Sequence, residues 1–160
     1  MRPPRQLSVL GIVAGIVALS LVAPAAAGSP APKVEFAKKS AGPYSEYIKK
    51  NVPDGETKPA YLRVRSKADA NQPATLTDAY LVEPGPDYTV KWFQGKKNIT
   101  SDMNDEGYEF TLKPDKDRIF KTKIKAPEGA QGICITASVE VPNLVFSNAS
   151  IDVNGETCIL

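Results

Sequence analysis

An all-β chain, folded as a single antiparallel β-sandwich behind a secretory signal peptide, is what three observations predict. Beyond residue 42 the apolar residues recur at every second position in short runs cut by Pro, Gly, Asn and Asp, the period of half-buried strands. No stretch after the leader holds a helical period. Residues 1–27 have the composition of an export signal: Arg2 and Arg5, then an uncharged run from Leu7 to Val22, then Ala25-Ala26-Ala27.

The signal machinery grips the apolar run and cuts after Ala-x-Ala, so the mature chain is expected to begin at Gly28. The competing reading is an uncut membrane anchor. A span needs about 20 apolar residues, and this run is shorter and interrupted by Gly11, Gly15 and Ser20. No Cys follows the run to carry a processed N-terminal lipid, and no membrane span is expected after cleavage.

Residues 28–42 are rich in Ala, Pro, Ser and Lys, with Val34 and Phe36 as the sizeable apolar groups, and read as a flexible N-terminal arm. The β-sandwich domain is assigned to residues 43–160. Tyr61 to Arg65 sets Leu62 and Val64 on one face and two arginines on the other. Leu76 to Glu83 is a second strand, stopped by Pro84-Gly85-Pro86. Tyr88, Val90 and Trp92 share a face of the next strand, which is expected to be central because it carries the single Trp; Gly95 to Asn98 is the turn after it.

Tyr108 to Lys113 alternates most cleanly, and Pro114-Asp115 ends it. In Arg118 to Lys125, Phe120, Thr122 and Ile124 face inward while Lys121, Lys123 and Lys125 face outward. Ala126-Pro127-Glu128-Gly129 turns the chain into a strand from Ile133 to Val141. Ser150 to Val153 and Thr157 to Leu160 supply the last edge or pair. About seven short strands at this spacing predict Greek-key connections.

The chain carries 20 basic and 18 acidic residues, and loss of Arg2 and Arg5 with the leader brings the formal balance to zero. A neutral protein has no global field to draw it to nucleic acid or an anionic membrane, so no nucleic-acid partner is expected. A mature chain of about 130 residues is long enough for one domain with a core of its own. Its two cysteines, Cys134 and Cys158, are expected to form a disulfide in an oxidising compartment. That bridge would close a loop of about 25 residues, worth about 3 kcal/mol in the chain-entropy model, and tie the last strand to its neighbour. Two free buried thiols are the alternative.

Gly55-Glu56-Thr57 leading into Tyr61-Leu62-Arg63-Val64, and Tyr88 to Gly95 followed by Asn98-Ile99-Thr100, resemble immunoglobulin-like β-sandwich modules of bacterial extracellular proteins. Phe110 to Pro114 and Phe120 to Pro127 stand where such modules have a Leu-x-Pro corner and a further strand. The resemblance covers roughly residues 44 to 140. It implies an immunoglobulin-like sandwich with an adhesion or structural role and no catalysis.

Catalytic chemistry has few footholds. The chain lacks histidine, which removes the commonest general base and metal ligand and every Ser-His pair. Glu106 and Glu109 are carboxylates that no spacing singles out. Asp102 to Gly107 resembles the opening of a calcium loop, but Lys113 stands where the twelfth-position carboxylate belongs. A solvated acidic turn is the plainer reading, and no metal or cofactor is expected.

Lys121, Lys123 and Lys125, with Asn98 and Asp102, are the candidate surface-contact residues. A basic sheet face would suit an acidic glycan or polymer, whereas the bland role of such lysines is to keep sheet edges apart. Tyr44, Tyr47, Tyr61 and Tyr80 would stack on sugar rings if exposed, with a place in the core as the competing reading. Asn98-Ile99-Thr100 and Asn148-Ala149-Ser150 match the N-glycosylation pattern, which the bacterial resemblance leaves silent; Asn98 is expected to serve its turn.

The expected protein is therefore a secreted, non-catalytic, monomeric module that contacts an extracellular protein or polysaccharide. The alternative is a soluble binding protein or inhibitor of a secreted enzyme, with the loop from Gly95 to Gly107 as its recognition element.

Overall fold

The computed structural model describes residues 30–82, 88–143, 145–155 and 158. The leader assigned to 1–27 lies outside them. Two five-stranded sheets pack face to face. The first contains β1 (Lys33–Ala37), β3 (Thr57–Arg65), β8 (Asp117–Lys125), β5 (Thr89–Gln94) and β6 (Lys97–Asn98), in that order. The second contains β2 (Tyr47–Lys50), β10 (Val145–Val153), β9 (Ile133–Val141), β4 (Gln72–Val82) and β7 (Tyr108–Leu112). A single short helix among the described residues, α1 (Thr100–Asn104), plugs the gap between the sheets at the β4–β5 side.

The pairing is antiparallel except for β2, which runs parallel to β10. In sheet order, β1-β3-β8-β5 follows the A-B-E-D sequence of strands and β4-β9-β10 the C-F-G sequence. The fold is therefore an immunoglobulin-like β-sandwich, with β7 added beside β4.

Alternation dictates which residues fill the space between the sheets. In β8, Phe120, Thr122 and Ile124 are buried and the residues between them are not. In β9, Ile133, Ile135, Ala137, Val139 and Val141 all point inward. These meet Leu62 and Val64 of β3 and Ile151 and Val153 of β10 in one core. Phe110 packs edge-on against Phe120 at 5.2 Å between ring centroids, and Phe36 lies 6.2 Å from Trp92.

Several boundaries differ from the sequence reading. The expected flexible arm, residues 28–42, contains β1, so the sandwich begins at Lys33 and not at residue 43. Val34 and Phe36 are buried, and all five residues of β1 pair with β3 from Lys33↔Arg65 to Ala37↔Tyr61. Two apolar residues in alternation suffice because β3 pairs along the whole of β1 on one side, while on the other Phe36 exchanges two backbone hydrogen bonds with Ser45, at 2.7 and 2.9 Å. β10 begins at Val145, five residues before the expected start, and β2 shows no period in the sequence because Tyr47–Lys50 is too short and polar. The Trp strand β5 stands next to the edge: only the two-residue β6 lies beyond it, and Trp92 is buried because α1 and β4 cover it.

Cys134 and Cys158 form a disulfide with 24 residues of sequence separation, tying the chain beyond β10 back onto β9. Residues 157, 159 and 160, expected to finish the last strand, lie outside the described set. None of the helices among the described residues is long and apolar enough to cross a membrane.

Candidate functional site: the lysine end of the first sheet

The outward positions of β8 run Asp117, Ile119, Lys121, Lys123, Lys125, and the register with its neighbours fixes what stands beside each. Lys121 lies opposite Phe93 on β5 and Tyr61 on β3. Lys123 lies opposite Lys91 and Pro59, and Lys125 opposite Thr89 and Thr57. The predicted lysines thus share one face, joined by a fourth, Lys91. Lys91, Lys123 and Lys125 are exposed and Lys121 is half-buried.

Among the described residues, none of these four ammonium groups lies within 4.0 Å of a carboxylate. Lys123 Nζ sits 5.2 Å from the centroid of the half-exposed Phe93 ring. A hollow of about 340 Å³ is sunk into this face, with Lys91, Lys123 and Lys125 among its lining residues. Phe93, Asn98, Thr57 and Thr89 complete it.

Asn98 joins the lysines through the hairpin that pairs Phe93 with Asn98. Its Oδ1 accepts from the Thr100 backbone N–H at 3.0 Å and the Thr100 hydroxyl at 2.6 Å, the turn-serving role expected of it. Those two bonds occupy the carbonyl end of the amide and leave Nδ2 as the free donor.

Asp102 does not join them. It sits on α1, where its carboxylate takes the Lys97 ammonium at 3.3 Å, and it lines a separate hollow with Glu106 and Tyr108. The calcium-like run to which it belongs is a packing element: Met103 is buried, and the Gly107 N–H closes the turn onto the Asp102 carbonyl at 2.9 Å. Gly107 has φ +93, and a Cβ there would stand 2.6 Å from the Thr75 methyl, so the glycine admits close contact with β4.

The four tyrosines scatter. Only Tyr61 stands on the lysine face. Tyr44 covers the Arg63 guanidinium at 4.2 Å from its ring centroid, Tyr47 donates to Asp152 at 3.0 Å, and Tyr80 donates to Asp78. Asp78 and Tyr80 form a polar cluster at the sandwich rim, where Trp92 Nε1 also donates to the Asp78 carboxylate at 2.5 Å. Burial pushes the Asp78 carboxyl above its ordinary range, although the Tyr80 and Trp92 bonds pull the other way.

At its opposite end the same sheet face carries ion pairs. Glu35 takes Lys33 at 2.8 Å and Arg63 at 2.6 Å, and Asp117 takes Arg65 through two bonds of 2.7 and 3.0 Å. Burial raises the Glu35 pKa, but Lys33 and Arg63 together outweigh it and leave the carboxyl below its usual value. Asp117 is lowered chiefly by its bonds from Arg65.

Phe93, Lys91, Thr57 and Thr89 join the site through the sheet register and are not among the residues the sequence singles out. The signal for two of them was present: once Tyr88, Val90 and Trp92 are assigned inward, Lys91 and Phe93 must face out.

No protein-family model and no curated protein matches this chain. Among solved structures it is similar to AvmM, which catalyses macrocyclisation in alchivemycin A biosynthesis: 11% identity over 81% of this chain and 92% of that one, TM-score 0.45. It is similar also to a PapD-like domain of human CEP192, at 13% identity over 98% and 100% of the two chains, TM-score 0.45. A third is a chain from the human seminal-plasma complex of zinc α2-glycoprotein with prolactin-inducible protein, at 12% identity over 78% and 95%, TM-score 0.43. Identities and TM-scores of this size transfer none of these roles.

Proposed function

We propose that the protein is a secreted, non-catalytic β-sandwich module that works by surface contact with an acidic extracellular partner, using the β8–β5 lysine face. The observation that carries this reading is the lysine group itself: four ammonium groups side by side, without a carboxylate among the described residues to neutralise them. Mutual repulsion makes such a cluster slightly unfavourable for the fold, and an anionic partner removes that cost. The export-type leader and the Cys134–Cys158 bridge support the extracellular location.

The test is expression of the full chain in a secreting host. Mass spectrometry of the medium is expected to find a mature N-terminus at Gly28, and crosslinking is expected to capture extracellular material that a Lys121→Glu, Lys123→Glu, Lys125→Glu variant fails to capture. Retention inside the cell, or equal capture by the variant, would overturn the proposal.

A further inference from the structure

We infer that the hollow on the lysine face binds an acidic polysaccharide, a chain of sugar-acid residues, in preference to an acidic protein or a nucleic acid. The inference rests on the lysine face being the contact surface and names what it contacts.

Three features of the face select the ligand. Its polar groups are suited to donate: the ammoniums of Lys91, Lys123 and Lys125 and the free Nδ2 of Asn98 cannot accept, and only the Thr57 and Thr89 hydroxyls can do either. A sugar acid offers acceptors throughout, in its carboxylate, ring oxygen and hydroxyls. The charge is also arrayed rather than focused. Lysines two apart on β8 are separated by about 7 Å along the strand, and Lys91 flanks Lys123 about 5 Å across the sheet. That is a track for regularly spaced charges.

The second feature is aromatic. Phe93 and Tyr61 stand on either side of Lys121 in register, both half-buried, and Phe93 lines the hollow with the Lys123 ammonium 5.2 Å from its ring centroid. An aromatic face beside hydrogen-bond donors suits the C–H face of a pyranose; a polyglutamate chain gains nothing from it. The third feature is the absence of guanidinium groups from the hollow among the described residues. Arg63 and Arg65 are committed to Glu35 and Asp117, and Arg118 donates to the Thr111 carbonyl. Bidentate recognition of phosphate relies on arginine, and here the cations are point-like ammoniums.

The experiment uses the secreted mature protein and measures affinity for polygalacturonate, poly-L-glutamate, neutral dextran and single-stranded DNA. Polygalacturonate is expected to bind most tightly and dextran not at all. Affinity should fall roughly fivefold or more between about 50 mM and about 200 mM salt, as displaced counterions require. Lys123→Ala with Lys125→Ala is expected to weaken polygalacturonate binding about tenfold. Phe93→Ala is expected to weaken it about threefold or more while leaving poly-L-glutamate unchanged, a difference that misfolding would not produce.

Equal binding of polygalacturonate and poly-L-glutamate, with Phe93→Ala without effect, would overturn the polysaccharide inference and leave the lysine face as a protein-contact surface. Tightest binding to DNA would overturn it as well. Binding that the lysine substitutions leave unchanged would overturn both the inference and the reading beneath it.

Discussion

One sheet face carries two electrostatic regimes. At the β1–β3 end, Glu35 and Asp117 are enclosed by Lys33, Arg63 and Arg65, with Tyr44 laid over Arg63; at the β8–β5 end, Lys91, Lys121, Lys123 and Lys125 stand together with no such partners among the described residues. The same alternation produces both, since Asp117 and Lys125 are outward positions of a single strand. Alternation therefore decides which side a residue faces, and pairing separates the charges committed to the fold from those that make no ion pair among the described residues.

If the paired end is structural, its substitutions must cost stability. Glu35→Ala is expected to have the largest effect, about 2 kcal/mol in denaturant unfolding, because Glu35 is only 4% exposed and its loss leaves the half-buried Arg63 with only the longer 3.9 Å pair to Asp117. Asp117→Ala should cost less, about 0.5–1 kcal/mol, as its pairs are more exposed.

Acid separates the regions next. Glu35 and Asp117 have folded-state pKa values below their unfolded ones, so their contribution is complete above the ordinary carboxylate range and is lost as pH falls through the depressed values. Asp78 runs the other way. Its folded pKa is raised, so the folded chain takes up that proton first, and this group's contribution improves as pH falls through the raised value. Unfolding measured across about pH 3 to 6 should therefore lose stability less steeply with acid in Glu35→Gln with Asp117→Asn, and more steeply in Asp78→Asn.

The lysine end should be nearly silent in the same assays. Lys121→Ala, Lys123→Ala and Lys125→Ala together are expected to change stability by less than about 0.5 kcal/mol, with any change at low salt favourable because repulsion is relieved. A loss as large as that of Glu35→Ala would show that the lysines serve the fold, and the comparison would collapse.

Strand identity and facing were legible wherever the apolar period ran for five residues or more. Phe120, Thr122 and Ile124 against Lys121, Lys123 and Lys125 is the plainest case, and the Cys134–Cys158 bridge was legible from the count of cysteines and the expected export. What escaped were short edges and long-range neighbours. β1 hid in a Lys-, Pro- and Ala-rich segment because its two apolar residues are stabilised by β3, some 28 residues away in sequence between Glu35 and Arg63. The membership of the lysine site escaped for the same reason. Lys91 and Lys123 become neighbours only through the β5–β8 register, and Asp102 drops out only because α1 turns it toward Lys97.

The proposed contact surface is a matter of position and not of charge alone. It is tested most directly by comparing Lys123→Ala with Arg65→Ala, which remove the same single positive charge from opposite ends of one sheet face. With polygalacturonate and poly-L-glutamate as anionic probes, Lys123→Ala is predicted to weaken whichever binds by about three- to tenfold, and Arg65→Ala by less than about twofold. Equal losses for the two variants on both probes would show that any cation of this sheet face serves equally and that the lysine end is not a distinct contact surface.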